Sequence, residues 1–533
     1  MSPESLIREV SDFLAGSRTA VVIENGAVAF DLAEAKYNIS GEHNKCVLHM
    51  WSAERNVVRR VLEAEVKNET LRLAVQRMGQ SKPNKLEICR ERDRRSSSAR
   101  RLARMSYLRR LQCFLERRYP GFAITRVSTA MDLEQSFSPI YARALLRQGQ
   151  SAFAVLGVNE QESQGSIDAS LTFGILWLDA CRTSSFGKHV VEGLKLFLPT
   201  GSSGMVRERM SQLNPDAAKW QLFEYSEAEG SAVRIDVYDR GNIATRLVHL
   251  TEEQAVRERF AQPILQIHDV MPEAEVAVLS PAEIAFRCRG LEFARAQISH
   301  EPTFLRSAPE IVFGLGAEQQ VLAESNYASF VNLLRSVSEV RHAQGPRDHF
   351  LWRMHPERWL ESLVAQDVAT IDNQLNRNFH YSQVPAFAAS DRAMIDVLTL
   401  TREGRLAVIE LKADEDIHLP LQGLDYWSRV AWHHSRGEFR RFGYFQGIEV
   451  SPLPPALFLV APAMRVHPAT DTLLRYVSPM IDWILLGIDE RWREGVRVVF
   501  RKRPSDSSIR RPARSPGDGH SQESEVLCGS ALS

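Results

Sequence analysis

Residues 391–426 read DRAMIDVLTLTREGRLAVIELKADEDIHLPLQGLDY. Two apolar runs flank Arg402-Glu403-Gly404, a three-residue turn in which Gly404 is free to take the left-handed conformation, so the stretch predicts a β-hairpin. Asp396 interrupts the first strand between Ile395 and Val397, and Glu410 and Lys412 end the second. Residues two apart on a strand share a face, so Glu410 and Lys412 point the same way. Setting Thr401 opposite Arg405 and counting back along both strands puts Asp396 opposite Glu410. Two carboxylates that close repel, and one takes up a proton unless a cation lies between them. Oxygen ligands of this kind suit a hard ion, Mg²⁺ or Mn²⁺. Lys412 can then hold a water beside the metal for attack on a phosphodiester.

The flanks extend the pattern. HPERWLESLV predicts a helix with Pro356 at its first position. Gln422 and Tyr426 are four apart and share one face of the following helix. The expected order is helix 356–367, strands 380–387, 392–401 and 405–413, helix 420–437, strand 456–462, helix 468–479, and strands 483–488 and 496–502.

This set resembles the PD-(D/E)xK nuclease superfamily, in its RecB-type branch with QxxxY. The ERxLE of that branch is present as Glu357 to Glu361, its ExK as Glu410-Leu411-Lys412, and its QxxxY as Gln422 to Tyr426. No proline precedes the aspartate, which reads Ile395-Asp396. The resemblance is confined to residues 346–503. It implies metal ligation by Asp396, Glu410 and the Leu411 carbonyl, a catalytic Lys412, and Gln422 and Tyr426 at the site or on nucleic acid. The helix acid falls on Glu361 or, one turn earlier, on Glu357. An ExK at a strand end is weak alone; four features in order within one segment favour the nuclease reading.

At 533 residues the chain exceeds one hydrophobic core, and roughly two to four domains are expected. Apolar residues make up 44% and charged residues 25%, the balance of a globular protein, and the net charge of zero leaves nucleic-acid contact to local patches. The six cysteines form no CxxC pair, which suits a reducing cytoplasm. MSPESLIREVSDFL reads as an amphipathic stretch rather than a leader, and no apolar run reaches the ~20 residues of a membrane span. A cytoplasmic location without membrane contact is expected; the oligomeric state is open.

The fold class expected is a multidomain α+β and α/β chain. Its C-terminal core would be restriction-endonuclease-like, αβββαβ, and its N-terminus a small β-rich unit with a basic helix. Residues 1–121 carry period-two runs (TAVVIENGAVAFDL, KCVLHMWS, TLRLAVQRMG) followed by the helix SSSARRLARMSYLRRLQCFLERR. On that helix Leu102, Met105, Leu108, Leu111 and Leu115 form the expected apolar stripe. Residues 122–300 mix elements, with ILWLDA (175–180) and GLKLFLP (193–199) as core strands and 234–250 as a hairpin around Arg240-Gly241-Asn242. Residues 301–345 are expected to connect, 346–503 to form the nuclease-like domain, and 504–533 to be a disordered Ser/Pro/Arg-rich tail. No internal repeat is evident.

Residues 82–118 hold thirteen Lys/Arg against four acids. Arg100, Arg101, Arg104, Arg109 and Arg110 are candidate nucleic-acid contacts, against the plainer reading of a solvated charged face. Trp51 and Tyr107 could stack on bases, with burial in a core the better account. Glu192 and Lys195, three apart on a strand, fall on opposite faces and make no second ExK. His433-His434 and Asp414-Glu415-Asp416 are assigned to packing and to a solvated strand exit. No Walker A, Gly-x-Ser-x-Gly or HExxH sequence is present. The expected activity is Mg²⁺- or Mn²⁺-dependent hydrolysis of nucleic acid, DNA before RNA. The alternative is a non-catalytic nucleic-acid-binding or scaffold protein that keeps the fold, and a glycosidase-type carboxylate pair fits Lys412 poorly.

Overall fold

The structure, a computed structural model, describes residues 3–504 except 16–19, 25–26, 33–34, 43–44, 52–55, 68–69, 78–82, 90–96, 133–135, 186–187, 240–244, 299–308, 316–317 and 386–393. The expected tail and the Arg240-Gly241-Asn242 turn lie outside the described residues. The chain is multidomain with mixed α/β content, built on four sheets of seven, six, five and six strands. The N-terminal region is β-rich: the seven antiparallel strands between Val21 and Cys89 pack their apolar face on the Pro3–Ala15 helix.

The middle sheet follows α1 (Ser97–Arg118) and contains β1 (Ala123–Ser128), β2 (Tyr141–Gln148), β3 (Ser151–Val158), β4 (Val190–Pro199), β5 (Lys219–Ser226) and β6 (Ser231–Ile235). Helix α2 (Ser170–Ser184) joins β3 to β4, and α3 (Gly204–Met210) joins β4 to β5. The stretch expected as a strand, Ile175–Ala180, is therefore helix. Leu171, Ile175 and Leu178 are buried with Leu176 and Trp177, so apolar residues surround the helix and the run loses its 3.6 period. The hairpin expected over 234–250 also fails to form. Arg234-Ile235 end β6, whereas Leu250 N–H donates to the Phe442 carbonyl at 2.9 Å and Thr245 bonds His433 at 2.8 Å.

Helix α1 packs on the middle sheet through Tyr107, Leu111, Phe114 and Leu115. Met105, expected on its apolar stripe, is 40% exposed. A third, five-stranded antiparallel sheet spans Glu275–Val321 and pairs Ala294 with Phe313 across residue 300. The expected connector 301–345 thus carries two of its strands and the Tyr327–Val340 helix.

The fourth sheet follows α4 (Pro356–Gln366) with β7 (Leu375–Pro385), β8 (Met394–Thr401), β9 (Leu406–Leu411), β10 (Ala456–Pro462), β11 (Trp483–Ile488) and β12 (Val498–Lys502). Helices α5 (Leu419–Ser435) and α6 (Thr470–Arg475) join β9 to β10 and β10 to β11. The hairpin register is the one read from sequence, Val397 opposite Ile409 and Leu400 opposite Leu406. Gly404 has φ +80°, and a Cβ there would lie 2.4 Å from the Glu449 carbonyl oxygen. Gly404→Ala is expected to cost about 1–3 kcal/mol and to raise hydrogen exchange first in β8 and β9; unchanged exchange would count against strain at this turn.

The second and fourth sheets have one topology. In each, strands one to three run antiparallel, three to five parallel, and five to six antiparallel, with helices in corresponding places. This corrects the expectation of no internal repeat. The likeness in sequence is slight: Leu213-Asn214-Pro215 before Trp220 matches Val477-Ser478-Pro479 before Trp483. The copies meet about a pseudo-two-fold. Asn214 N–H donates to the Tyr476 carbonyl (2.8 Å) and Ser478 N–H to the Gln212 carbonyl (2.9 Å). Arg209 of α3 pairs with Asp425 of α5, and Arg475 of α6 reciprocally with Asp179 of α2. One continuous apolar core, with Leu156, Ile175 and Leu196 on one side and Val408, Leu424 and Leu459 on the other, fills the space between the sheets.

Candidate active site

The charged residues of the 391–426 stretch gather where β8 begins and β9 ends. Glu410 is 1% exposed and Lys412 8%, burial that demands partners. Lys412 Nζ lies 3.0 Å from Glu410 Oε1. The Asp396 carboxylate, one step beyond the last ladder pair, accepts the Leu411 N–H at 2.9 Å. Asp396 thus fixes the backbone of the ExK segment as well as facing Glu410.

The electrostatics follow from crowding. Burial, followed by the Glu361 charge, pushes the Asp396 carboxyl up to about 7. Burial and then Asp396 push Glu410 well above the carboxylate range. Burial opposes the Lys412 charge, yet Glu410 and Glu357 outweigh it and hold the ammonium above its ordinary value. The pairing with Glu410 therefore favours the charged form of Lys412.

Helix α4 contributes both of its acids. Glu361 is buried, bonded by Arg358 at 2.7 Å, and acts on Asp396. Glu357, its carboxyl raised by burial, acts on Lys412 and Glu410. Glu357 and Glu361 thus address different members of the centre. The helix start is held by Arg341, 0% exposed, whose guanidinium donates to the carbonyls of Cys288, Arg289, Leu351 and Met354 at 2.8–3.0 Å. Sequence reading missed this residue, which follows the Tyr327–Val340 helix in a segment expected only to connect.

On α5, Gln422 and Tyr426 are half-buried while Gly423, Leu424 and Asp425 between them are buried. Burial, then the charges of Glu410 and Asp396, raise the Tyr426 hydroxyl above the phenol range, which places its ring beside the acids. Asp425 points the other way, into the Arg209 guanidinium. Asp416, assigned to a solvated exit, instead lies 4.0 Å from Lys412 and accepts the His418 N–H at 2.8 Å. Asp414 and Glu415 are exposed. His433 is buried against Glu438 at 2.5 Å, a packing role.

Glu410 Oε2 and Gln422 Oε1 are buried without a hydrogen-bond partner. An orphaned carboxylate oxygen beside a second carboxylate fits a hard cation. Among the described residues no group of three or more His, Cys, Asp or Glu side chains is arranged to hold a metal ion. The available set is Asp396, Glu410 and the Leu411 carbonyl, with Glu361 engaged by Arg358. Two carboxylates suit Mg²⁺, which keeps several waters, better than Ca²⁺ or Zn²⁺.

Comparison with known proteins yields no matching family model, no matching curated protein and no matching solved structure.

The middle sheet shows what the same positions become without these charges. Counting from each hairpin turn, and across the parallel strands to Trp220 and Trp483, sets Arg143 where Asp396 stands, Leu156 where Glu410 stands and Val158 where Lys412 stands. Arg143 is buried, with its guanidinium 4.4 Å from the Phe137 ring centroid and 5.6 Å from that of Trp177. None of these three matched positions carries a carboxylate.

The five candidate arginines of α1 divide. Arg104 makes a two-bond ion pair with Glu162 at 2.6 and 3.1 Å, and Arg110 pairs with Glu227. Arg100 is half-buried, whereas Arg101 and Arg109 are exposed. Tyr107 is in the core at 1% exposure. Among the described residues no helix is long and apolar enough to cross a membrane.

Proposed function

We propose that the chain is a metal-dependent nuclease with one active centre, in a C-terminal unit of restriction-endonuclease-like αβββαβ type. The observation that supports this reading is the crowding of Asp396, Glu410 and Lys412 at one strand end, beneath Gln422 and Tyr426. Burying three charges there is costly, and stability alone gives no reason for it. Mg²⁺ or Mn²⁺ held by Asp396, Glu410 and the Leu411 carbonyl would supply a Lewis acid for the phosphodiester and for water. Lys412 orients the attacking water and offsets negative charge on the phosphate. Glu361 and Arg358 set the position and charge of Asp396. Gln422 and Tyr426 hold the nucleic acid backbone against the site.

DNA is the expected substrate. The direct experiment incubates the purified chain with labelled single- and double-stranded DNA and RNA, with and without Mn²⁺. Metal-dependent cleavage of any of them supports the reading; none with any form sinks it. Since the middle unit keeps the fold without the charges, a non-catalytic scaffold is the rival. Absence of Mg²⁺ or Mn²⁺ binding at millimolar concentration would favour that rival.

Of the five candidate arginines, exposed Arg101 and Arg109 would meet phosphate. Arg101→Ala and Arg109→Ala are each expected to weaken binding across sequences and to reduce the salt slope by about one. Arg104→Ala should lower stability and leave the slope unchanged, its charge being committed to Glu162. Equal slopes in all three variants would exclude α1 from the interface.

A further inference from the structure

On the face of the middle sheet turned from the shared core, a cavity of about 260 Å³ opens beside the end of α1. Its wall includes Arg118, Tyr119, Lys195, Gln221, Phe223 and Arg234. Lys195 projects from β4 on the side opposite Leu194 and Leu196, which belong to the shared core. It is 6% exposed. Its ammonium lies 2.5 Å from Gln221 Oε1, 4.4 Å from the Phe153 ring centroid and 4.8 Å from that of Tyr119.

None of these contacts neutralises the charge. Among the described residues no carboxylate lies within ion-pair distance of Lys195, Arg118 or Arg234. Glu192 on the same strand is taken up by Lys219 and Ser151. Burial, reinforced by Arg234 and then Arg118, pulls the Lys195 ammonium down to about 8. A buried cation without a counter-ion is destabilising, and two further cations beside it make it more so. A bound anion removes that conflict. Arginine forks and a lysine point charge together match phosphate, and Phe114, Tyr119 and Phe223 give the wall an apolar part for a nucleoside. The volume falls just below the ~300–1,000 Å³ of drug-sized sites, which fits one nucleotide rather than a longer oligomer.

We propose that this cavity binds a nucleoside phosphate, with Lys195, Arg118 and Arg234 on the phosphate and the nucleoside along the wall of Phe114, Tyr119 and Phe223. The phosphate belongs to a free nucleotide or to the 5′ end of a strand; both offer the same chemistry. The site is separate from Asp396 and Glu410 and stands whether or not the chain cuts nucleic acid.

The test uses the full chain, followed by calorimetric titration and thermal melting. The probes are AMP, GMP, ATP, inorganic phosphate, and a short oligonucleotide with a 5′-phosphate or a 5′-hydroxyl. At least one nucleotide, or the 5′-phosphorylated oligonucleotide alone, should bind and raise the melting temperature. Lys195→Met should lose that shift while melting, without ligand, at or above the parent, because an uncompensated cation has been removed. The double variant Arg118→Ala/Arg234→Ala, on exposed side chains that do not build the core, should lose it too. Binding by nucleotides supports the free source; binding by the phosphorylated oligonucleotide alone supports the strand end. The proposal is overturned if no probe binds the parent, if inorganic phosphate acts as strongly as the nucleotides, or if both variants keep the parent's shift.

Discussion

Lys412→Ala is expected to abolish metal-dependent cleavage, lowering the single-turnover rate by at least ~10³-fold, about 4 kcal/mol in the barrier. The reason lies in the pairing. Lys412 is the cation within 3.0 Å of Glu410, and Glu410 and Glu357 keep it charged. Removing it takes away the group proposed to face water and phosphate, and leaves Glu410 buried with less reason to ionise. Asp396→Asn should give a comparable loss by a different route. The amide keeps the shape but not the charge, so metal affinity falls along with the rate. Binding of uncut nucleic acid should stay within a few-fold of the parent in both, because exposed cations supply most of it. A Lys412→Ala chain that cuts as fast as the parent would remove the lysine from the mechanism.

Arg209→Met is expected to destabilise the contact between the two like-folded halves by about 3–5 kcal/mol. Arg209 reaches from α3 into α5 and holds both oxygens of Asp425, at 2.9 and 2.6 Å, while also bonding the Asp168 carbonyl at 2.5 Å. Both side chains are nearly excluded from water, at 8% and 6% exposure. Taking away the guanidinium leaves the buried Asp425 carboxylate without its two-oxygen partner, with Arg429 the charge beside it, and that lost pairing supplies most of the penalty. The pair Arg209→Met/Asp425→Leu should recover the greater part of the loss, since apolar groups of similar size fill the same space. A chain of several units need not unfold in one step. Hydrogen exchange across α5 and α3 is therefore the proper measurement. A single variant that exchanges like the parent would show that the pair contributes little.

The C-terminal hairpin was legible because its signals are local. Apolar runs fixed two strands, Arg402-Glu403-Gly404 fixed the turn, and the turn fixed the register that faces Asp396 towards Glu410. What the sequence could not convey is what packs on what. Ile175–Leu178 is apolar at every position because α2 is covered by the middle sheet on one side and by the other half on the next, so its helical period is hidden. The α1 pattern announces an apolar face but not that it covers the middle sheet. Asp416 looked like part of a solvated acidic exit until the chain brought it back beside Lys412. The duplication was the hardest to see, because it survives in strand order and direction and, in sequence, in little more than two prolines and two tryptophans.

That duplication has a kinetic consequence. A symmetric pair of identical subunits brings two centres to a duplex and can sever both strands in one visit. Here the second position holds Arg143, Leu156 and Val158, so under the proposed function one chain offers a single centre. If the proposed activity is endonucleolytic on duplex DNA, nicked circles should accumulate from supercoiled DNA in proportion to protein concentration. A coordinated break of both strands would need two chains on one duplex, and its rate would climb with the square of that concentration.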